Sequence, residues 1–293
     1  MNAQSLLFRL EAAVARLALA ALGSMGPIRA SNFAATIART LGPLLPVSKI
    51  ADANLRLAMP DLDQAARRRI IRGVWDNLGR NVGEFPHLAA LTIDIVHPEI
   101  PRAIAAAGKP AILITGHIAN WEVMPQVLAR FGMKQGNFYR PASNVAIDGM
   151  IQAMRLRAAP GVPYFPKGAA GARAGVALLR KGGVIGMLVD QKLNDGIAVP
   201  LFGHPAMTAP APAALALRFN ATVAFARCER LGPAHLRVVW ELLDSLPATG
   251  DRDADILALT TTINATLERW IRARPQEWLW LHRRWPKHVH GGA

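Results

Sequence analysis

We predict an α/β fold in which a mostly parallel or mixed central sheet is flanked by helices and preceded by a helical N-terminal extension. Short apolar runs alternate with helical patterns from about residue 110 onward, and this alternation is typical of α/β units around a mostly parallel sheet. The first 95 residues instead show mainly helical spacing. Hydrophobic residues make up 52% of the chain, so it can bury a sizeable core and is not disordered.

The N-terminal segment predicts an amphipathic helix. Apolar side chains recur at steps of three and four over residues 7–21, while Arg9 and Arg16 lie seven residues apart and share one face. The helix either lies in a membrane interface or packs on the protein's own core, and the spacing allows both. A transmembrane helix needs about 20 predominantly apolar residues, and charged residues interrupt this segment. No convincing signal-peptide pattern is present.

The remaining elements follow from periodicity. The run 111–115 is too short for a helix and rich in β-branched residues, so it predicts a buried strand. Strands are predicted at 111–115, 137–140, 162–165, 184–189, 222–228 and 235–240. Helices are predicted at 121–131, 145–157, 169–180, 211–219 and 253–273, with a proline-rich loop before the fourth. We therefore divide the chain into a helical extension, 1–95, and an α/β domain, 96–293, joined as one continuous structural unit.

Charge and cysteine content restrict the function classes. Lys and Arg number 34 against 20 Asp and Glu, a formal balance of +14, which favours an anionic partner such as nucleic acid, an acidic membrane surface or an acidic protein. No nucleic-acid-binding module is recognisable, so we expect no nucleic-acid partner. The lone Cys228 excludes a disulfide scaffold. Its apolar surroundings predict a small buried hydrophobe, not a catalytic thiol.

The strongest candidate for chemistry follows the strand 111–115. Reactive groups in an open α/β sheet collect beyond the carboxyl ends of strands, where this chain places His117, Asn120 and Glu122. Asn120 is the predicted N-cap of the next helix, which puts Glu122 in the first turn. Across this strand-to-helix turn, Glu122 can reach one imidazole nitrogen and make His117 a general base for a hydroxyl. The alternative is a local pair at a helix start without catalysis.

Other motifs place polar groups at strand ends or after aromatic residues. Arg140 ends one predicted strand, Asp190 ends another, and His-Arg-Arg-Trp occupies 282–285. With the N-terminal helix, these motifs resemble, in order and spacing, the bacterial lipid A biosynthesis acyltransferases, the lauroyl and myristoyl transferases that add secondary acyl chains. The further motifs that carry the resemblance are Asn-Leu-Arg-Leu-Ala-Met-Pro at 54–60, His-x-x-Asn-Trp-Glu at 117–122, Tyr-Arg-Pro at 139–141, Asp-Gln at 190–191 and Val-Pro-Leu-Phe-Gly at 199–203.

Two comparisons refine the resemblance. The family commonly has glycine where this chain has Ala119. The runner-up is the glycerophospholipid acyltransferase group, which uses His-x-x-x-x-Asp and a later Phe-Pro-Glu-Gly block. Here the acid is Glu122, and Lys167 stands where the acid of the second block belongs. Both differences favour the lipid A branch.

The resemblance implies O-acyl transfer in lipopolysaccharide biosynthesis. The donor would be an acyl carrier protein thioester, the acceptor a hydroxyl of a 3-hydroxyacyl chain on a phosphorylated glucosamine disaccharide. His117 would act as the base with support from Glu122, without an acyl-enzyme. Arg140 would bind phosphate or stabilise the oxyanion, and Asp190 would orient Arg140 and lie farther from the histidine. Asn120 is a further substrate-binding candidate, and no cofactor or metal is expected.

Membrane contact is the last expectation. An aromatic and basic belt near the C-terminus suits lipid headgroups, although core packing is the alternative for its tryptophans. The residues expected to contact the membrane or an anionic partner are Arg9, Arg16, Trp278, Trp280, Arg283 and Arg284. We expect a peripheral or shallowly inserted protein at the cytoplasmic face of the inner membrane. The competing functions are acyl transfer from acyl-CoA to another glycolipid or lysophospholipid, and non-catalytic binding of anionic lipid.

Overall fold

The computed structural model describes residues 3–290. Its α-helices are α1 (Ala3–Ser24), α2 (Pro27–Leu41), α3 (Ser48–Ala58), α4 (Gln64–Glu84), α5 (Glu99–Ala107), α6 (Met124–Arg130), α7 (Val145–Ala158), α8 (Ala169–Arg180), α9 (Ala211–Phe219) and α10 (Arg252–Ala273). Its strands are β1 (Thr92–Val96), β2 (Ala111–Thr115), β3 (Gln135–Tyr139), β4 (Tyr164–Pro166), β5 (Val184–Leu188), β6 (Ile197–Leu201), β7 (His204–Thr208), β8 (Thr222–Gly232) and β9 (His235–Leu242).

The central sheet confirms the predicted fold class. Within the described residues, seven strands form one sheet in the order β1-β9-β8-β2-β5-β3-β4. Strands β8, β2, β5, β3 and β4 run parallel, and β9 reverses the direction beside β8. Helices flank the sheet, and the N-terminal region is helical. The parallel strands therefore end at one common edge, which is where an open α/β sheet places its site.

Strand β2 lies near the middle of the sheet, between β8 and β5. All five of its residues are buried, as its apolar run predicts for a strand covered on both faces. Neighbouring β8 carries Cys228, which is buried as expected. Because β2 is central, the residues that follow it leave the core at the middle of the sheet's carboxyl edge.

Four elements were not predicted from the sequence. The prediction of a proline-rich loop is wrong in part. In that segment β6 and β7 pair as an antiparallel two-stranded sheet, in which Pro200 lies opposite Pro205. Proline has no N–H to donate to a neighbouring strand and is tolerated only at sheet edges. Prolines in a sequence therefore argue against a strand, and these two strands were not predicted. Helix α5 was also missed. Strand β1 lies within the supposed helical extension and pairs with β9 at the edge of the main sheet.

The helical region is held together by a close contact between α2 and α4. Gly79 and Gly83 of α4 face the backbone of α2, and a Cβ built on Gly83 would lie 2.3 Å from the carbonyl oxygen of Ala30. That carbonyl belongs to helix backbone and cannot move aside as a flexible side chain would. The two helices therefore pack at a distance that only glycine permits on α4.

Helix α1 leaves its apolar face uncovered. Its Leu7, Leu10, Val14 and Leu17 are 53–71% exposed, so this face does not pack on the core. The helix instead contacts the rest of the protein through buried residues such as Leu22 and through backbone, including Phe8 O, which accepts a hydrogen bond from Asn144. Within residues 3–290, no helix has the length and apolar character needed to cross a bilayer.

We expect Gly83→Ala to lower the free energy of unfolding by about 1–3 kcal/mol, because the methyl group overpacks the α2–α4 contact. Gly149→Ala is the matched control. No atom lies within 4 Å of a Cβ built at Gly149 in α7, so alanine should add up to about 1 kcal/mol through helix propensity. Chemical denaturation of both variants measures the difference. Equal effects of the two substitutions would contradict the close contact.

Candidate active site

Two adjacent strands bring His117 and Asp190 together. In the β2–β5 ladder, Thr115 pairs with Leu188, and His117 and Asp190 each follow two residues later. The prediction that Asp190 lies nearer to Arg140 than to His117 is wrong, because the Asp190 carboxylate is hydrogen-bonded directly to the His117 ring at 2.7 Å. Arg140 follows β3 on the other side of β5 and is exposed.

The Asp190 carboxylate is buried and accepts three hydrogen bonds. Its Oδ1 accepts from His117 Nδ1 at 2.7 Å. Its Oδ2 accepts from the backbone N–H of His117 at 2.8 Å and from Trp278 Nε1 at 2.7 Å. Since Asp190 is only 1% exposed, these donors replace water around the charge. The carboxylate thereby fixes both the backbone and the ring of His117.

Burial and charge act in opposite directions on this pair. Burial is the largest influence on His117 and lowers its pKa, but the charge and hydrogen bond of Asp190, with a smaller effect of Glu122, raise the pKa above its ordinary value. Burial likewise raises the pKa of Asp190, yet the interactions with His117 outweigh it and hold this pKa below its usual range. Asp190 is therefore the ionised partner, and His117 is a stronger base than a free imidazole.

The second imidazole nitrogen faces the open side. Because a carboxylate accepts the Nδ1 hydrogen, Nε2 of the neutral ring carries the lone pair. The side-chain amide of Gln191 lies beside this nitrogen, with its Nε2 3.4 Å from His117 Nε2. Trp121 packs edge-on against the ring with centroids 4.9 Å apart. His117 therefore presents one oriented lone pair, which can accept a proton from a hydroxyl.

Glu122 does not support the imidazole by direct contact, and that expectation is wrong. Both of its oxygens accept from Arg155, at 2.7 Å from Nε and 2.7 Å from Nη2. The residues after Asn120 form a short 3-10 helix, Trp121–Val123, which directs Glu122 towards α7. Arg155, which the sequence analysis missed, also lies over the ring of Tyr164 at 5.1 Å. No spacing in the sequence links an arginine of α7 to Glu122.

The turn between His117 and Glu122 is conformationally strained and tightly held. Ala119 has a positive φ of 49°, a region that favours glycine. Its carbonyl accepts from Asn81 at 2.6 Å and from Asn77 at 3.2 Å, and its N–H donates to Glu277 O at 2.9 Å. Helix α4 and the C-terminal segment therefore fix the backbone on which His117 is mounted.

Asn120 occupies the predicted N-cap position, but its side chain does not cap the helix. Its Nδ2 donates to Glu84 Oε2 at 2.8 Å, and the residue is completely buried. The interpretation of Asn120 as a substrate-binding residue is therefore wrong. Its amide joins the turn to α4 and does not face a surface that a substrate can reach.

The C-terminal segment supports the site from inside the protein. Trp278 pairs with Ile118 through an isolated β-bridge, and the N–H of Leu279 donates to His117 O at 3.1 Å. Trp278, Trp280 and Arg284 are buried, so their predicted contact with a membrane or anionic partner is wrong.

The aromatic and basic composition of the segment reflects core packing. Arg284 donates to Met207 O at 2.9 Å and to Thr208 Oγ1 at 2.7 Å, so two of its guanidinium nitrogens have acceptors inside the protein. Arg9, Arg16 and Arg283 are exposed, so their membrane contact stays a prediction.

The strain at Ala119 generates a stability prediction. Replacing Ala119 by glycine removes a left-handed conformation that costs about 1–2 kcal/mol for a residue with a Cβ and adds about 0.5–1 kcal/mol of chain entropy. We expect a gain of up to about 1 kcal/mol in unfolding free energy. Ala213→Gly, within α9, should instead cost about 1 kcal/mol. Thermal or chemical unfolding compares the two, and a loss at both positions would contradict the strain.

A family model described as bacterial lipid A biosynthesis acyltransferase matches residues 10–287. No individual curated protein matches the chain. Within residues 3–290, no group of three or more His, Cys, Asp or Glu side chains is placed to hold a metal ion. Since the match spans almost the whole length, including His117 and Asp190, the chain belongs to the bacterial lipid A biosynthesis acyltransferase family.

Proposed function

We propose that this acyltransferase moves a fatty acyl chain from an acyl carrier protein thioester to a hydroxyl of a phosphorylated lipid A precursor. The observation that carries the proposal is the contact of 2.7 Å between His117 Nδ1 and the buried Asp190 carboxylate. It leaves a basic Nε2 facing the open side of the sheet edge. Family membership gives the class of reaction, and the site geometry supports the role that we propose for each residue.

The reaction needs one base and no covalent enzyme intermediate. The acceptor hydroxyl replaces the Gln191 amide near His117 Nε2 and gives its proton to that nitrogen. The alkoxide oxygen then attacks the thioester carbonyl carbon, and the C–S bond breaks as the ester forms. The imidazolium returns its proton to the departing thiolate, so His117 ends each cycle neutral.

Asp190 and Trp121 prepare His117 for this cycle. Asp190 selects the tautomer with the proton on Nδ1, and its negative charge stabilises the imidazolium that forms. Trp121 restricts the rotation of the ring by packing against it. Since Asp190 is already oriented by Trp278, the environment needs little rearrangement when the charge develops.

Two further groups act at a distance. The Glu122 carboxylate contributes to the raised pKa of His117 through its charge, although Arg155 holds it. We keep Arg140 as the candidate that binds phosphate or stabilises the thioester oxyanion, because it follows a strand at the same carboxyl edge as His117 and its forked guanidinium suits both roles.

The proposal predicts a pH signature that identifies the supporting carboxylate. His117→Ala should lower transfer by about 10²–10⁴-fold through loss of the base. Wild-type kcat/KM should rise with pH through the raised pKa of His117, because only the neutral imidazole accepts a proton. Asp190→Asn should move this rise to lower pH and reduce the maximal rate, whereas Glu122→Gln should move it less, since Asp190 exerts the larger influence.

The measurement uses labelled acyl carrier protein and a phosphorylated lipid A precursor, with acyl-CoA as the alternative donor. A larger shift for Glu122→Gln than for Asp190→Asn would restore Glu122 as the direct partner of the base. Transfer from acyl-CoA alone would replace the proposed donor. Absence of transfer from either donor would leave anionic-lipid binding as the function.

We also propose peripheral attachment to the cytoplasmic face of the inner membrane. The exposed leucines of α1 form an apolar face flanked by Arg9 and Arg16, both exposed. Such a helix lies in the interface, with its apolar side chains among the acyl chains and its cations near anionic headgroups. This arrangement would bring the soluble carrier protein and the membrane-borne acceptor to one enzyme.

Replacing both Leu10 and Leu17 by Asp should weaken vesicle binding by about tenfold or more per residue, because each buried leucine contributes roughly 1.5–3 kcal/mol. Leu257→Asp on α10 is the control, since Leu257 is also exposed, at 47%, but lies outside this face. Vesicle sedimentation, with circular dichroism to verify folding, measures the effect. Similar losses for Leu257→Asp would contradict a specific face.

A further inference from the structure

A wide basic groove lies on α3 and the first half of α4. Two adjoining concavities of about 980 Å³ and about 540 Å³ share Lys49 and Ala53 of α3. The larger concavity also contains Arg56, Arg68 and Arg72, against Asp52 as its acid. No residue of this groove takes part in the chemistry proposed for His117.

The positive charge of the groove is not neutralised internally. Asp52 does not neutralise the other cations of the groove, because it already accepts from Arg67 at 2.8 Å and pairs with Arg56 at 2.7 Å. Within residues 3–290, the side chains of Lys49, Arg68 and Arg72 make neither a hydrogen bond nor an ion pair, and all three residues are exposed. Three unpartnered cations around one concavity are suited to an anionic group with several acceptor oxygens.

The groove opens beside an apolar projection. Pro43 lines the larger concavity and Pro46 the smaller one. Between them in the chain, Leu44 is 80% exposed and Leu45 47% exposed. On α2 the apolar exposure continues through Leu41, which is 55% exposed. Cations directly beside exposed leucines match a bilayer surface, where phosphates lie just above the acyl chains.

The groove is also connected to the catalytic residues. Asn54 and Arg283 line the smaller concavity, and Asn54 Nδ2 donates to the carbonyls of Trp280 at 2.9 Å and His282 at 2.7 Å. The same C-terminal segment bonds to the backbone of His117. A ligand held across the groove therefore touches the segment that supports the base.

We propose that this groove binds the phosphate of a membrane lipid headgroup and so positions the phosphorylated acceptor at the bilayer surface. The inference rests on the proposed function for the identity of that acceptor. An acidic carrier protein would also be attracted by the cations of the groove, but it would leave Leu44 and Leu45 exposed to water. The combination of unpartnered cations and a projecting apolar rim favours a lipid.

The test compares two triple variants of the full chain with equal charge loss. The groove variant carries Lys49→Gln, Arg68→Gln and Arg72→Gln. The control variant carries Arg130→Gln, Lys134→Gln and Lys181→Gln, three exposed residues at the amino ends of β3 and β5, opposite the catalytic edge. Binding is measured by flotation with phosphatidylcholine vesicles, with and without phosphatidic acid, which presents a phosphomonoester.

We expect each removed groove charge to weaken binding to phosphatidic acid vesicles by about fivefold. Binding to pure phosphatidylcholine, whose phosphodiester charge is balanced by its choline cation, should not change. The control variant should stay within about twofold of wild type because none of its three residues lines the groove. Equal losses in both variants would show diffuse attraction and overturn the proposal. An unchanged groove variant would overturn it as well.

Transfer kinetics separate this inference from the proposed function. The groove variant should raise the KM for the phosphorylated acceptor, leaving kcat and the KM for acyl carrier protein unchanged. A raised KM for the carrier protein instead would make the groove its docking site and overturn the lipid assignment. If the wild type shows no transfer at all, the proposed function fails, while the vesicle experiment still decides whether the groove binds lipid phosphate.

Discussion

The buried carboxylate of Glu84 is the constraint on which the arrangement of the molecule depends. This completely buried residue accepts from Ser31 of α2 at 2.8 Å, from Asn120 at 2.8 Å and from Arg230 of β8 at 2.5 Å and 3.0 Å. A buried charge is tolerated only when such partners surround it, and loss of one partner costs about 3–5 kcal/mol. The hydrogen bonds of Glu84 therefore hold the helical region, the turn that carries His117 and the sheet together at one point.

This junction makes the N-terminal helices a structural support of the proposed catalytic turn, a role that their composition does not reveal. Asn81 lies three residues before Glu84 and donates to the strained carbonyl of Ala119, while its own oxygen accepts from Arg230 at 2.7 Å. The backbone of the catalytic turn is thus bonded to α4, which packs without a gap against α2 through Gly83. Helix packing and hydrogen bonds consequently join the turn that carries His117 to the helices that lie beside the exposed apolar surface.

Much of the local structure could be predicted from the sequence, whereas side-chain pairing could not. Periodicity located β2, α8 and α9 because their apolar patterns and terminal glycines or prolines are local signals, and it placed His117 at a strand end. Which carboxylate meets His117 depends on the order of strands in the sheet, and no local pattern states that β5 lies beside β2. Buried Trp278 and Arg284 were misassigned because an aromatic and basic run has the same composition in a core as at a membrane. The pair formed by Glu122 and Arg155 likewise joins elements that have no regular spacing in the chain.

The positions of the acidic residues explain where the net charge of +14 is located in the protein. Three acids have partners inside the protein. Glu84 pairs with Arg230, Asp190 with His117 and Glu122 with Arg155. The two arginine pairs cancel inside the protein, and hydrogen bonds from neutral His117 and from Trp278 stabilise the Asp190 charge, because an unmatched buried charge would be costly. The cationic excess is therefore left mainly to exposed side chains, and on α3 and α4 it lies directly beside exposed leucines. Because attraction to phosphate and insertion of apolar side chains act together at a bilayer surface, this distribution supports the proposal that the acceptor is held in a membrane. His117 meets that acceptor from the open side, while buried Asp190 and Trp278 hold its ring from the core.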